Sequence, residues 1–351
     1  MGAIGTQARK IKLGLHLAAN LLSVQILIYS FKSCRSRNVT FKVASSLEDG
    51  TGAQLHKQGS IYCLSRIMQS SFVSSPLTSI EIQHGDNFLS DQDVRRHIGE
   101  INRALLETNT AHFPKNSKEI SLQGVPRLDL HRILAALVPN LLINRPVIFR
   151  LRQAFDYLGG EDKHYYLEFG EILSRGLNFQ RPLDQSQISI QTHLRVSTVN
   201  PISDRYLPED YYLKFLHEVT GRLKVDGKNY KIIVHTDFND SLLDGSDVNW
   251  SATPETLEYW KAIGVTDLTG ELNLHTMQLA RNILNSISVK FPNVEIRQNN
   301  SPIEAWEEMA TADYLQISNS SFSFLGAIMN DRAEIYSPKN KQLSMPGWQV
   351  S

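Results

Sequence analysis

Arg195 ends the apolar run QISIQTHL as a lone cation, and a guanidinium at the end of a buried strand is costly unless it meets an anion. Its planar fork offers paired hydrogen bonds that match a phosphate. His193, two residues earlier, shares the same strand face. A second polar cluster lies in TADYLQISNSSFSFLGAIMND, where Ser318, Asn319, Ser320, Ser321 and Ser323 crowd the passage from strand to helix. Hydroxyls and unsatisfied backbone N–H groups at a helix start favour negative charge. Gly50 and Gly52, in DGTGAQLH, let another backbone segment come close to a ligand, and the helix from Gln54 onward supplies a second N-terminus. Asp237 closes a third polar stretch, His235-Thr236-Asp237, again after a strand. Two helix starts and one Arg make a site for a diphosphate that needs no metal.

Taken singly, each feature has a plainer reading. A His-x-Arg pair serves structural hydrogen bonding, serines before a helix serve as caps, and this G-x-G lacks both the Lys-Ser/Thr of a P-loop and the third Gly of a dinucleotide fingerprint. Their joint occurrence at strand ends of one chain favours a site, because open parallel sheets bind ligands there. Asp91-Gln92-Asp93 has the spacing of a metal-holding pair, but it follows Ser90 and opens an amphipathic helix where the dipole favours acids. It reads as a helix start, so neither a metal nor a resident cofactor is expected.

The elements that position these residues are most regular from Ser186 on. Strands SQISIQTHLRV, KNYKIIVHTD, NVEIRQNN, DYLQIS and AEIYSP alternate with helical stretches, AEIYSP being the last strand. Such alternation predicts a doubly wound parallel sheet. The N-terminal half opens likewise, with a strand in NVTFKVASS, a Gly turn and a helix carrying Ile61, Leu64, Ile67 and Met68. FVSSPLTSIE follows as strand and turn, while 108–185 mixes short apolar runs and shows no repeat. We divide the chain into an extension over 1–38, an α/β domain over 39–185 and a second α/β domain over 186–351.

Length and composition agree with two cores: 351 residues, 41% of them apolar and 21% charged. Lys plus Arg and Asp plus Glu balance at 36 each, which argues against a nucleic-acid partner. Cys34 and Cys63 are too few for a disulfide framework or a Cys-based zinc site, which fits a reducing, cytoplasmic location. Residues 12–31 are long and apolar enough to reach across a bilayer, yet Arg9, Lys12, His16, Asn20 and Ser23 form a polar stripe at helical spacing. Such a stripe suits a helix lying on a membrane surface, as peripheral contact through 12–31, or packed against protein better than one spanning lipid; a spanning anchor and a non-native extension from a misplaced start remain the alternatives.

THLRV, DGTGAQLH and ISNSSFSFLGAIMN together resemble the metal-independent fucosyltransferases, both the bacterial α-1,2 group and the α-1,6 group. Those enzymes carry a His-x-Arg-Arg-x-Asp motif, an early Gly-rich segment and a late Ser-Ser/Thr-Phe-Ser segment, in the order found here over 39–336. NSSFSFLGA is the most specific part, and EDYYLKFL is similar to the family's Glu-Tyr-Tyr helix. The resemblance implies a GT-B fold, two Rossmann-like domains facing a central cleft, with GDP-fucose held mainly by the C-terminal one. It further implies that Arg195 contacts the β-phosphate, that His193 lies near the nucleotide, and that Ser320 and Ser321 serve the phosphates. Gly50, Gly52 and Gln54 match the segment that closes over the diphosphate. The family's acid for the guanine base falls nearest to Glu304. Departures stand beside these matches: Val196 replaces the second Arg, Thr198 replaces the Asp, and Phe324 and Leu325 replace two tryptophans. Losing one guanidinium weakens donor binding by a few kcal/mol at the scale of a charge-assisted contact.

The implied activity is glycosyl transfer from a nucleotide-sugar donor to a glycan acceptor, inverting and metal-independent. Arg195, His193 and Asp204 are the candidate catalytic residues, with Glu209 a further candidate base. Val196 and Thr198 keep open a catalytically impaired protein that binds nucleotide or glycan, and a membrane-associated scaffold is a third reading.

Overall fold

The computed structural model describes residues 39–43, 50–77, 91–110, 118–122, 146–151, 163–180, 187–196, 199, 205–238, 271–298, 300–339 and 343–350. Asp204, Thr198, Ser90 and the stretch 12–31 lie outside them. Among the described residues no helix is long and apolar enough to cross a membrane, and no group of three or more His, Cys, Asp or Glu is placed to hold a metal ion. Tertiary contacts divide the chain into two units: Met1–Ser46 with Lys57–Pro76 and Leu105–Phe169, and Leu47–His56 with Leu77–Ala104 and Gly170–Ser351.

The first unit holds a parallel sheet in the order β2-β1-β4-β3, from β1 (Val39–Val43), β2 (Ser71–Val73), β3 (Lys118–Leu122) and β4 (Val147–Leu151). Phe41 and Phe149 stack across β1 and β4 at 5.7 Å, and Tyr62 from helix α1 (Thr51–Ile67) meets Phe72 edge-on at 5.4 Å. Burying rings of this size contributes about 1.5–3 kcal/mol each. Helix α2 (Asp91–Glu107) begins at the D-x-D sequence, and Asp93 pairs with Arg96 one turn on at 3.1 Å, as the helix-start reading requires. Glu168, near the start of helix α3 (His164–Gly176), accepts from Tyr62 Oη at 2.8 Å and from Arg66 Nε at 3.2 Å.

The second unit holds a six-stranded parallel sheet in the order β10-β9-β8-β5-β6-β7. Its strands are β5 (Ile188–Leu194), β6 (Tyr230–Thr236), β7 (Val294–Arg297), β8 (Tyr314–Gln316), β9 (Glu334–Ser337) and β10 (Gln349–Val350). Counting from β5, this is the 3-2-1-4-5-6 order of a Rossmann sheet, so the chain reverses its direction of travel between β5 and β8. β10 corrects the expectation that AEIYSP is the last strand: Gln349 and Val350 add a further parallel strand onto β9.

Helix α4 (Glu209–Val225) sets Tyr212, Phe215, Leu216, Val219 and Leu223 at helical spacing onto Ile190, Leu194, Ile232 and Val234. Glu209 and Asp210 in its first turn and Arg222 and Lys224 in its last suit the helix dipole. Helix α5 (Glu271–Lys290) covers the same side with Ile283, Leu284 and Ile287. The alternate residues Gln191 and His193 point to the other face, where helices α6 (Pro302–Ala310) and α7 (Ser321–Ile328) belong. Gln191 Nε2 donates to the Glu308 carbonyl of α6 at 2.8 Å. The face toward α4 is mainly apolar but carries Thr192 and Gln316, and the opposite face carries Gln191, His193 and His235 beside Ile233 and Leu315.

Candidate functional site

β5 and β8 meet at the reversal point, and side chains fix their spacing. Thr192 Oγ1 donates to Gln316 Oε1 at 2.8 Å, and Gln316 Nε2 donates to the Tyr211 carbonyl of α4 at 2.8 Å. Tyr211 Oη donates in turn to the Ile317 carbonyl at 2.6 Å. These buried bonds hold the strand ends in a single register, because leaving one such group unpaired costs about 1–3 kcal/mol.

His193 Nδ1 and Ser318 Oγ lie 2.8 Å apart across this point. The imidazole is buried, and burial lowers its pKa to about 4, with Asp237 pulling it up and Arg195 pushing it down. It is therefore neutral near pH 7. Arg195 leaves the strand end with its Nε 3.9 Å from Asp237 Oδ2, and 22% of its side chain is exposed. Burial lowers its pKa; the Asp237 carboxylate opposes that and the Arg205 charge adds to it. A guanidinium keeps its charge through such shifts. Asp237 Oδ1 accepts the Val196 N–H at 2.7 Å, so this carboxylate fixes the turn that carries Arg195. The Val196 side chain itself is sealed in the core at 2% exposure.

The members of the serine run do different things. Ser318 meets His193, and Ser323 Oγ accepts the Ser318 N–H at 3.2 Å. Ser320 is the N-cap of α7, its Oγ accepting the Phe322 N–H at 3.2 Å. Asn319 Nδ2 donates to the Arg205 carbonyl at 3.0 Å. Ser321 Oγ and His56 Nδ1 lie 3.0 Å apart, and the His56 ring rests on Phe324 at 4.6 Å. Phe322 lies between the His193 ring at 5.5 Å and the Trp306 ring at 5.0 Å, and Trp306 Nε1 donates to its carbonyl at 3.0 Å.

The first turn of α1 adjoins that of α7. Gln54 N–H closes it on the Gly50 carbonyl at 3.1 Å. A Cβ at Gly52 would stand 2.8 Å from Phe322 Cα and 2.9 Å from Phe322 N, so only a glycine admits this approach. Two helix N-termini, each with a positive dipole end, therefore lie side by side in the second unit. Thr51 Oγ1 is buried there with no hydrogen-bond partner among the described residues.

The fold thus brings together Gly50, Gly52, Gln54, Ser320, Ser321 and His193, with Arg195 and Asp237 adjoining. Glu304 is engaged in helix capping. With Ser301 it forms the capping box of α6, its Oε2 accepting the Ser301 N–H at 3.0 Å. Sequence reasoning placed His56 in the polar stretch after the first strand and Phe322 within the serine run, but gave neither a role of its own. His56 stands one helical turn after Gly52 and shares its face, which is what carries it to Ser321.

No protein-family model matches the chain, and no curated protein matches it. Among solved structures it is similar to E. coli heptosyltransferase WaaC with ADP, at 14% identity over 89% of this chain and 92% of that one, TM-score 0.36. It is similar to POFUT1 in complex with GDP, at 11% identity over 86% and 97%, TM-score 0.38. A mutant of Arabidopsis thaliana FUT1 in complex with GDP is similar at 10% identity over 87% and 71%, TM-score 0.39.

Proposed function

We propose that the protein is a glycosyltransferase that takes its sugar from a nucleoside diphosphate sugar, with GDP-fucose the donor favoured by the motif resemblance and a glycan hydroxyl the acceptor. The GT-B arrangement, an N-terminal acceptor-side domain and a C-terminal donor domain belong to this reading. One observation carries it: two helix N-termini meet at the carboxyl end of a Rossmann sheet, beside Arg195. Such a corner suits a pyrophosphate better than any neutral guest.

In this reading the acceptor oxygen attacks the anomeric carbon from the face opposite the leaving group. The new C–O bond forms as the bond from carbon to the β-phosphate oxygen breaks, and its electron pair leaves with the nucleoside diphosphate. Arg195, the Ser320–Ser321 turn and the Gly50–Gly52 amides stabilise the charge that grows on that phosphate. The acceptor proton passes to a nearby base, for which Asp204 and neutral His193 are the candidates.

Thermal-shift and calorimetric screening of GDP, UDP, CMP and their sugars tests the pocket directly. Arg195→Ala is expected to cut transfer by roughly 10²–10³, the scale of losing one preorganised donor to a developing anion. Near-normal turnover in that variant would remove Arg195 from the chemistry. A second reading, binding without turnover, is favoured by Val196, whose side chain is sealed in the core where the family motif has its second Arg. GDP binding without hydrolysis or transfer of any GDP-sugar would select it.

A further inference from the structure

Thr51 opens α1 and is 5% exposed, and its Oγ1 is buried without a hydrogen-bond partner among the described residues. A hydroxyl taken out of water and left unbonded costs free energy, and folded proteins leave few such groups. Nothing in the helix asks for it. Valine has the same shape and nearly the same helix propensity, and it would fill the space with no polar atom to satisfy. In the run Gly50-Thr51-Gly52-Ala53, Thr51 carries the one side chain able to hydrogen-bond.

The hydroxyl also has a definite place. Helix side chains lean toward the N-terminus, so at the first residue the hydroxyl stands at the open end of α1, beside N–H groups that have no intrahelical partner. Gly52, the next residue, brings this end against the backbone of Phe322, in the first turn of α7. Ser321, whose Oγ meets His56 from the second turn of α1, belongs to the same corner. Two helix starts thus converge on an end that holds a bare donor. A neutral guest would satisfy the hydroxyl and leave the dipole ends unused, whereas an oxyanion answers both.

We propose that Thr51 is a ligand-binding residue whose hydroxyl donates to a phosphate oxygen of the nucleoside diphosphate. The inference rests on the nucleotide-sugar reading above and adds to it a side-chain donor between the two glycines. The bond forms only when the ligand is present, so the free protein carries the cost of the bare hydroxyl and the complex recovers it. Removing the hydroxyl therefore moves stability and affinity in opposite directions, which loss of a purely structural bond does not do.

Thr51→Val and Thr51→Ser, made in the full chain, test this. The readouts are urea denaturation of the free protein and calorimetry with whichever of GDP, UDP and ADP binds the wild type, alongside its parent nucleoside. Thr51→Val is expected to keep or raise the urea midpoint and to weaken the diphosphate about tenfold or more, as loss of a hydrogen bond to a charged acceptor does. The parent nucleoside should bind both proteins alike, and Thr51→Ser should retain most of the diphosphate affinity. If Thr51→Val leaves diphosphate affinity unchanged, the inference falls while the nucleotide reading stands. A lowered urea midpoint would mean that the hydroxyl is already bonded in the free protein, and it overturns the inference. An equal loss for nucleoside and diphosphate does so too, since the hydroxyl would then shape the site without holding a phosphate. If the wild type binds none of the three diphosphates, both fall together.

Discussion

The carboxylate of Asp237 touches the turn after β5 through two groups, accepting the Val196 N–H with one oxygen and approaching the Arg195 guanidinium with the other. The two contacts differ in kind, since the first needs only an acceptor and the second needs a charge. Asp237→Asn is able to keep the first and loses the second, whereas Asp237→Ala loses both. Denaturant titration is expected to find Asp237→Ala less stable by about 1–3 kcal/mol, the cost of a part-buried N–H left without its partner. Asp237→Asn is expected within about 1 kcal/mol of wild type, since the 3.9 Å ion pair is long and partly solvated. Equal stability of the two variants would show that the Val196 bond does not hold the turn. At this scale the sequence exposed Arg195, His193 and Ser320, because polar groups at strand ends interrupt an apolar pattern. It could not expose which member of the serine run would cap, which would meet His193 and which would meet His56, since that division is set by tertiary contacts.

Between elements, the decisive contact is the meeting of α1 and α7 at Gly52. Gly52→Ala puts a methyl within 2.9 Å of two backbone atoms of Phe322, and backbone does not swing aside as a side chain does. The change is expected to cost about 1–3 kcal/mol by denaturant titration, as overpacking does. If the proposed function holds, it should also weaken GDP binding by separating the two helix starts. Gly221 in α4 provides the contrast, because nothing lies within 4 Å of its Cβ direction. Gly221→Ala is expected to stabilise by about 0.5–1 kcal/mol through helix propensity alone. If both substitutions act alike, steric contact at residue 52 is not what holds the corner. Strand–helix alternation after Ser186 was legible because hydrophobic period switches between two and 3.6 within each unit. β3, β4 and α3 were not assigned within 108–185, and β10, only two residues long, has no period to read. Strand order was hidden for another reason: crossovers set it, and no local pattern encodes which neighbour a parallel strand will choose.

For the molecule as a whole, two buried histidines in the second sheet make stability depend on pH. His193 and His235 are paired in register on β5 and β6, and burial lowers their pKa values to about 4 and about 3. His193 faces Ser318 with Asp237 and Arg195 nearby. His235 faces Gln191 at 2.8 Å, with Glu308 at 3.7 Å and the Arg297 charge in reach. Because both folded values lie below the ordinary one, the unfolded chain takes up protons first as pH falls below about 6.5. Stability is then complete above that value and declines towards about 4 for His193 and about 3 for His235. Glu308 acts in the opposite sense, since burial raises its carboxyl and the folded state holds that proton longer. The window between about pH 7 and about pH 5.5 spans the ordinary His value, so the decline due to the two rings is read there. Over that window unfolding free energy is expected to drop on the order of 2 kcal/mol, read as a falling urea midpoint. His235→Gln keeps a polar side chain without a titrating ring and should remove about half of the decline. A wild-type midpoint that is flat or rising over this window would mean that the two rings are not held neutral, and that the strand ends flanking Arg195 carry more charge than the fold implies.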